Sequence, residues 1–178
     1  MFESFIISSA FRHLIKMTIR LATLQDVPTI TSIYNEFIDT TVTMDLFESS
    51  IDNRTIWFQN HQPTFPITCY VNDSGKVVGW ASLSKWSPKL GYKLTVENSV
   101  YVSKKYQKLG IGKKLLSDII SKAKDLHYHT IVSRIDSENV ISLNLHKKYG
   151  FIEIGCMKEF GFKFNKYIDI IMLQLILE

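Results

Sequence analysis

Cysteine is scarce in this sequence, with two residues among 178. Cys69 and Cys156 are far apart, so they form neither the paired spacing of a zinc motif nor the framework of a disulfide-rich domain. Histidine adds little, since His127 and His129 have no third ligand beside them in the sequence. The composition therefore excludes a disulfide scaffold, and we predict no metal site.

Long apolar runs are also missing. No stretch reaches the roughly 18–20 residues needed to cross a bilayer, and the longest candidate, YIDIIMLQLILE, is interrupted by Asp169 and Gln174. The first residues lack a basic start and a small-residue cleavage site, which argues against a secretory signal. We predict no contact with a membrane, an N-terminal extension over residues 1–16, and one patterned domain over residues 17–178.

Neither sign of charge dominates the sequence, which carries 21 basic and 17 acidic residues for a net charge of +4. The basic residues are spread along the chain except around residues 104–114. This distribution argues against a nucleic-acid-binding stripe and is compatible with a phosphate-bearing ligand or an ordinary solvated surface. The length and a hydrophobic fraction of 46% suit one domain with a full core.

The apolar pattern alternates between the periods of strands and helices. Strand-like segments read TIRLA, ITCYV, KVVGWASLSKW, LTVENSVYV, TIVSRI, FIEIGC and KYIDIIMLQLIL. Helical segments read QDVPTITSIYNEFI, IDNRTIWFQNH, GIGKKLLSDIISKAKDL and SENVISLNLHKKYG. The turn NDSG predicts a hairpin between the second and third strands. We predict a single domain of the α/β class, mixed in the α+β sense.

Two glycines and several lysines lie between the strand that ends VYV and the helix that follows. Backbone N–H groups at a helix start bind phosphate, and glycine lets the ligand approach closely. The segment fits neither the G-x-x-x-x-G-K-[ST] loop nor the G-x-G-x-x-G dinucleotide fingerprint. It reads Q-x-x-G-x-G from Gln107 to Gly112. Many helices begin with such glycines for packing alone, so the segment by itself is a weak signal.

This loop resembles the acyl-CoA loop of the GNAT acetyltransferase superfamily. Six segments resemble its phosphinothricin and methionine sulfoximine N-acetyltransferase branch, in order and with compatible spacing: MTIRLATLQDVPTITSIYN, GWASLSKW, GYKLTVENSVYV, QKLGIGKKLL, ENVISLNLHKKYGF and FKFNKYIDIIMLQL. The resemblance implies a mixed, mostly antiparallel sheet with helices on both faces. It also implies acetyl-CoA as co-substrate, a homodimer, and a cytoplasmic location.

The resemblance implies contacts to acetyl-CoA from the strand, the loop and two helix starts. The strand would offer its main chain to the pantetheine arm, the loop would hold the pyrophosphate, and the asparagine that opens the later helix would reach the pantetheine. The residues that match are Val100, Tyr101, Val102, Gln107, Lys108, Leu109, Gly110, Ile111, Gly112, Lys113, Asn139 and Ser142.

Two residues are candidates for proton transfer. Glu97 matches the acid of the family motif T-V/A-E-x-S/T-V-Y-V, in which the glutamate is the proposed general base. Without the resemblance it reads equally well as a solvent-facing strand residue. His146 matches a histidine proposed to protonate the departing thiolate, and its alternative reading is a structural histidine near a helix end.

The acceptor site departs from the family pattern at WSPKLGY and at the residue after Glu97. Lys89 falls where one branch carries an arginine that meets an acidic group of the substrate, and a lysine can also neutralise a carboxylate. Asn98 replaces a histidine found in several relatives. We predict Lys89, Tyr92 and Asn98 as acceptor-binding residues.

The predicted reaction is transfer of an acetyl group from acetyl-CoA to the amino group of a small amino-acid-like molecule by direct attack. No cysteine occupies a motif position as an acyl carrier. Acetylation of a peptide N-terminus or an aminoglycoside is the enzymatic alternative. A CoA-binding sensor without turnover is the binding-protein alternative, and a nucleic-acid-binding module is the third.

Overall fold

The computed structural model describes residues 18–61 and 63–178, so the predicted extension over residues 1–16 lies outside the described residues. The described chain forms seven strands and four helices in the order that the sequence predicts. The strands are β1 Thr18–Leu21, β2 Ile67–Val71, β3 Val77–Lys85, β4 Thr95–Val102, β5 Thr130–Asp136, β6 Ile152–Lys163 and β7 Lys166–Ile176. The helices are α1 Val27–Asn35, α2 Ile51–His61, α3 Ile111–Asp125 and α4 Val140–Lys148.

The strands form one sheet in the order β1-β2-β3-β4-β5-β7-β6. Neighbouring strands run antiparallel except β4 and β5, which pair in parallel. The predicted hairpin between β2 and β3 is present, and the prediction of a mixed, mostly antiparallel sheet is confirmed. A parallel neighbour needs a crossover connection, which α3 provides between β4 and β5.

Two apolar clusters lie on opposite faces of the sheet. Leu115, Leu116 and Ile119 of α3 recur at helical spacing and are fully buried in one cluster. The other cluster contains Ile30 of α1 and Phe58 of α2, packed with side chains of β2 and β3. Burial of each such side chain contributes about 1.5–3 kcal/mol. The prediction of helices on both faces is therefore confirmed.

The hairpin of β6 and β7 is longer than the sequence indicated, because β6 continues to Lys163 instead of ending near Cys156. Its far end packs against the segment that follows α1: Lys163 Nζ donates to the carbonyl oxygen of Thr43 at 2.8 Å. A Cβ at Gly161 would lie 2.7 Å from Met44 Sδ, so a side chain there would displace the flexible end of Met44. The hairpin thereby fixes the position of residues 43 and 44.

None of the helices in the described chain is long and apolar enough to cross a membrane.

Candidate active site

A cavity of about 1110 Å³ lies where β4 and β5 separate. β4 pairs with β3 along its length, from Val96 to Val102, but the parallel pairing with β5 ends at Glu97. The N–H group of Ser103 donates to Val78 on β3. Because adjacent residues of a strand turn their backbone groups to opposite edges, Val102 and Val100 present N–H and C=O groups to the gap.

The turn between β4 and α3 has the geometry of an anion site. Lys108 and Gly110 both adopt left-handed backbone conformations, with φ of 63° and 77°. The first intrahelical bond of α3 runs from Lys114 N–H to Gly110 O, so the N–H groups of residues 111–113 precede the helical ladder. Free N–H groups and the positive end of the helix dipole favour a phosphate at this point.

Gly112 lines the cavity, and the packing of the protein itself does not require a glycine at this position. A Cβ there would lie 3.5 Å from Leu145 Cδ2 and 3.9 Å from Val102 Cγ2, which are ordinary contacts. Gly110 differs, because its positive φ disfavours any side chain although nothing described lies within 4 Å of a Cβ there.

Most of the predicted acetyl-CoA contacts line this cavity together. They are Val100, Tyr101, Val102, Gln107, Lys108, Gly110, Ile111, Gly112, Lys113, Asn139 and Ser142. Leu109 lies outside the lining, with its side chain 63% exposed. The ring of Tyr101 stacks on Trp80 with centroids 4.7 Å apart, and its backbone pairs with β3, so this residue borders the cavity without turning its backbone groups to the gap.

Asn139 has a local task besides the one predicted for it. Its Oδ1 accepts the N–H of Ser142 at 3.2 Å and so caps α4. Its Nδ2 group has no hydrogen-bond partner among the described residues, which leaves an amide donor at the cavity wall.

Glu97 forms a bidentate ion pair that the sequence did not predict. Arg134 of β5 donates from Nε to Oε1 at 2.6 Å and from Nη2 to Oε2 at 2.8 Å. The side chains of Glu97 and Arg134 are 19% and 47% exposed, and both line the cavity. The hydrogen bond to Glu97 raises the pKa of Arg134, so the guanidinium stays charged.

His146 belongs to a chain of hydrogen bonds on the other face of the sheet. Its Nδ1 lies 2.8 Å from the carbonyl oxygen of Ser142, which can only accept, so Nδ1 carries the proton. Its Nε2 then accepts from Asn98 Nδ2 at 3.0 Å, and Asn98 Oδ1 accepts from the hydroxyl of Ser133. Burial lowers the pKa of His146, which is 4% exposed, so the imidazole is neutral at pH 7.

The two candidate acid–base residues thus approach the gap from opposite faces. Side chains alternate along a strand, so Glu97 and its neighbour Asn98 point to different faces of β4. Asn98 reaches His146, on the face covered by α3 and α4, while Glu97 faces the side of α1 and α2. A carboxylate therefore lies on one side of the gap, and a buried neutral imidazole lies on the other.

The predicted acceptor residues do not all converge on the cavity. Lys89 and Tyr92 lie on the exposed connection between β3 and β4. Neither is among the described residues that line the cavity. Asn98 lines the cavity but is 7% exposed and bonded to His146 and Ser133. Their role in acceptor binding stays a prediction.

One wall of the cavity comes from the segment after α1, which the sequence did not single out. The hydroxyl of Thr41 donates to a carboxylate oxygen of Asp136 at the end of β5, and the other oxygen accepts from Glu138 N–H at 3.0 Å. Thr43 and Met44 continue this wall. The bridge from Thr41 to Asp136 closes the cavity on the side of Glu97.

Neither cysteine is placed to carry an acyl group. Cys69 is buried in the sheet, where loss of solvation raises the pKa of its thiol to about 12. Cys156 is exposed on β6. Neither cysteine is among the described residues that line the cavity. No group of three or more His, Cys, Asp or Glu side chains in the described chain could hold a metal ion.

A splayed strand pair, an anion-binding turn and a carboxylate beside the gap define an acyltransferase that uses an acyl-CoA. The family model described as "Acetyltransferase (GNAT) domain" matches residues 19–172. The chain therefore belongs to the GNAT acetyltransferase family.

Curated relatives and solved structures agree on the branch. The chain is 36% identical over 163 residues to the L-methionine sulfoximine/L-methionine sulfone acetyltransferase of Salmonella typhimurium, covering 91% of this chain and 95% of that protein. The same figures hold for the L-amino acid N-acyltransferase MnaT of Escherichia coli K12. A phosphinothricin acetyltransferase from Sinorhizobium meliloti, solved in complex with AcCoA, superposes with a TM-score of 0.88 at 29% identity, covering 90% of this chain and 88% of that chain.

These similarities confirm the predicted family, the single GNAT-like fold and the enzyme class. The chain is an acetyl-CoA-dependent N-acetyltransferase, with acetyl-CoA as its co-substrate.

Proposed function

We propose that this enzyme acetylates the amino group of a small amino-acid-like acceptor of the methionine sulfoximine or phosphinothricin type, by direct attack on acetyl-CoA. The observation that carries the proposal is the shared cavity. The anion-binding start of α3 and the ion pair of Glu97 with Arg134 both line it. The names of the relatives support an amino-acid-like acceptor.

In this proposal the turn at residues 108–113 holds the pyrophosphate of acetyl-CoA. Val100 and Val102 bond the pantetheine arm with the backbone groups that face the gap, as an added strand would. The N–H group of Val102 is the proposed donor to the thioester carbonyl oxygen as negative charge develops on it. Asn139 adds its free amide donor.

Glu97 is the proposed general base. Each of its oxygens accepts one bond from Arg134 and keeps a second lone pair, so Glu97 can take a proton from the acceptor ammonium directly or through one water. The free amine then attacks the thioester carbon, the carbon–sulfur bond breaks, and the CoA thiolate leaves. The nitrogen loses one proton as it becomes an amide, and the thiolate takes up one proton to give the thiol. No acyl-enzyme forms, which agrees with the buried, protonated thiol of Cys69.

For His146 the hydrogen-bond network supports a positioning role. In the neutral form with the proton on Nδ1, Nε2 is an acceptor and has no proton to give until Asn98 turns away. We propose that His146 and Asn98 fix the wall of the gap opposite Glu97. The sequence prediction that His146 protonates the thiolate stays a prediction, which turnover of His146→Gln would test.

A homodimer and a cytoplasmic location complete the proposal. β6 is an edge strand of the sheet, and its hairpin exposes Phe160, Phe162, Phe164 and Tyr167, which favours packing against a second copy. Phe160 also lines the cavity, so such an interface would lie beside the active site. Sedimentation of the wild type and of Phe162→Lys tests this directly, since a monomeric wild type would contradict it. The cytoplasmic location is compatible with acetyl-CoA as co-substrate, because cells contain acetyl-CoA in that compartment.

The test of the function is a thiol-release assay with acetyl-CoA against a panel of amines. The panel contains phosphinothricin, methionine sulfoximine, methionine sulfone, the common amino acids, an aminoglycoside and a short peptide. We expect the amino-acid-like compounds to give the highest kcat/KM, with the N-acetyl product identified by mass. Turnover of only the peptide or the aminoglycoside would contradict the proposal, and binding of acetyl-CoA without turnover of any amine would indicate a sensor.

A further inference from the structure

Arg134 lines the cavity and has one unused edge. A guanidinium carries five N–H donors in one plane and can grip a carboxylate at either of two forks. Glu97 occupies the fork made by Nε and Nη2. Nη1 has no hydrogen-bond partner among the described residues, so the fork made by Nη1 and Nη2 remains available. The Trp86 ring, 5.9 Å from the guanidinium carbon, helps to hold its plane.

The other cations of the cavity lie elsewhere along its wall. Lys108 and Lys113 belong to the anion-binding turn, and Lys148 ends α4. Lys104 is paired with Asp39 at 3.1 Å. Of the positive side chains that line the cavity in the described chain, Arg134 is the one bonded to the proposed base.

We propose that Arg134 determines acceptor specificity by binding a carboxylate adjacent to the reacting amine at its Nη1/Nη2 fork while its other fork holds Glu97. The inference rests on the proposed function, because it names the part of an amino-acid-like acceptor that this site recognises. It replaces Lys89, which the sequence favoured, with a residue that lines the cavity.

The geometry of an α-amino acid fits this arrangement. Standard bond lengths place its amine nitrogen ~2.5 Å from its carboxylate carbon, so a carboxylate on Arg134 brings the amine next to Glu97. The four charges also cancel: the acceptor ammonium and Arg134 balance the acceptor carboxylate and Glu97. Without Arg134, two carboxylates would approach each other in a partly buried site and repel.

The experiment compares two acceptors, L-methionine sulfone and its carboxamide, which differ only in the carboxylate. The readout is the ratio of their kcat/KM values. A bidentate charge-assisted contact contributes about 10²-fold, so the wild type should prefer the acid by about that factor. In Arg134→Gln the ratio should fall to near 1, mainly through the KM of the acid. Loss of activity through a disturbed Glu97 alone would lower both acceptors equally and keep the ratio.

Three variants make the comparison specific. Arg134→Lys keeps the charge but loses the fork, so its ratio should fall about tenfold and remain above 1. Lys89→Gln tests the rival cation, and a collapsed ratio there with an intact ratio in Arg134→Gln would overturn the proposal. Lys124→Gln, on the exposed side of α3, removes the same charge far from the cavity and should leave the ratio unchanged. Melting temperatures establish that each variant is folded.

Calorimetry separates this inference from the proposed function. L-methionine sulfone is titrated into the CoA-loaded enzyme, where no transfer occurs. Binding that is lost in Arg134→Gln supports the inference even if the panel assay finds a different reaction. An acid-to-amide ratio of about 1 in the wild type, or unchanged binding of the acid by Arg134→Gln, would overturn it.

Discussion

Gly112→Ala isolates the interaction of the turn with the pyrophosphate from the packing of the protein. Gly112 lies in the first turn of α3, and its new methyl group would meet Leu145 and Val102 at ordinary contact distances. Alanine is favoured over glycine in a helix by about 0.5–1 kcal/mol in its interior and less near its end. The variant should therefore melt at or slightly above the temperature of the wild type.

The methyl group would nevertheless stand on the cavity side of the helix start, where the ligand must approach the backbone. We expect it to cost one or two charge-assisted hydrogen bonds to phosphate, each worth about 1.5–3 kcal/mol. The KM for acetyl-CoA should rise by about 10- to 100-fold, while kcat at saturation changes little. Gly110→Val is a weaker test, because φ of 77° strains any side chain there whether or not a ligand binds.

The assay measures thiol release at saturating acceptor with two acyl donors. Acetyl-CoA carries the pyrophosphate, and S-acetyl-N-acetylcysteamine is the matched control because it lacks phosphate. The variant should lose affinity for acetyl-CoA and behave like the wild type with the short thioester. An unchanged KM for acetyl-CoA in a stable variant would refute the phosphate site, and an equal loss with both donors would mean that the methyl group disturbs the reaction centre instead.

Two further predictions concern the cap of α4, which also bears on ligand binding, and the pH dependence of stability. Asn139→Ala should lower the free energy of unfolding by about 0.5–2 kcal/mol through loss of the helix cap and should also weaken acetyl-CoA binding, whereas Asn139→Ser should restore the cap but not the binding. Calorimetry and melting curves distinguish the two, and full binding by the serine variant would remove the amide from the site. Burial lowers the pKa values of His61 and His146 in the folded protein. Below their ordinary pKa near 6.5 the unfolded chain therefore binds more protons than the folded chain, and the free energy of unfolding decreases as the pH is lowered. The slope should be at most about 1.4 kcal/mol per pH unit for each histidine, and melting between pH 7.5 and 5 should flatten when both are replaced by Gln; an unchanged slope would contradict their burial as neutral groups.

Local patterns predicted the order of the elements because each strand and helix buries one face at its own period. α3 is the clearest case, since its five buried side chains follow helical spacing from Ile111 to Ala123. Asp26 occupies the N-cap position of α1, where an aspartate usually bonds the first turn of the helix, yet its carboxylate bonds Arg20 and the N–H of Thr23 instead. The partner of Asp26 depends on the position of β1, which carries Arg20, and the local sequence around α1 does not predict that position.

Arg134 shows what the sequence could not provide. In TIVSRID it reads as a solvent-facing strand residue, and its partner Glu97 lies 37 positions away. The pair forms because the parallel register of β4 and β5 brings these strands together just before they separate. A signal existed only in retrospect: Glu97 is the last paired residue of β4, and Arg134 lies two residues beyond the last paired residue of β5. The family resemblance pointed instead to Lys89, on a connection outside the lining.

Glu97→Gln separates a Glu97 that removes the proton of the acceptor amine from a Glu97 that only pairs with Arg134. Glutamine keeps the size of the side chain but cannot take the proton, so acetyl-CoA should bind as in the wild type while kcat falls by about 10²–10⁴-fold. The measurement is kcat/KM for L-methionine sulfone from pH 6 to 10 for both proteins. We expect the variant to regain part of its rate at high pH, where the amine loses its proton without help. Near-full turnover at pH 7 with acetyl-CoA binding intact would contradict it and leave Glu97 as only the partner of Arg134.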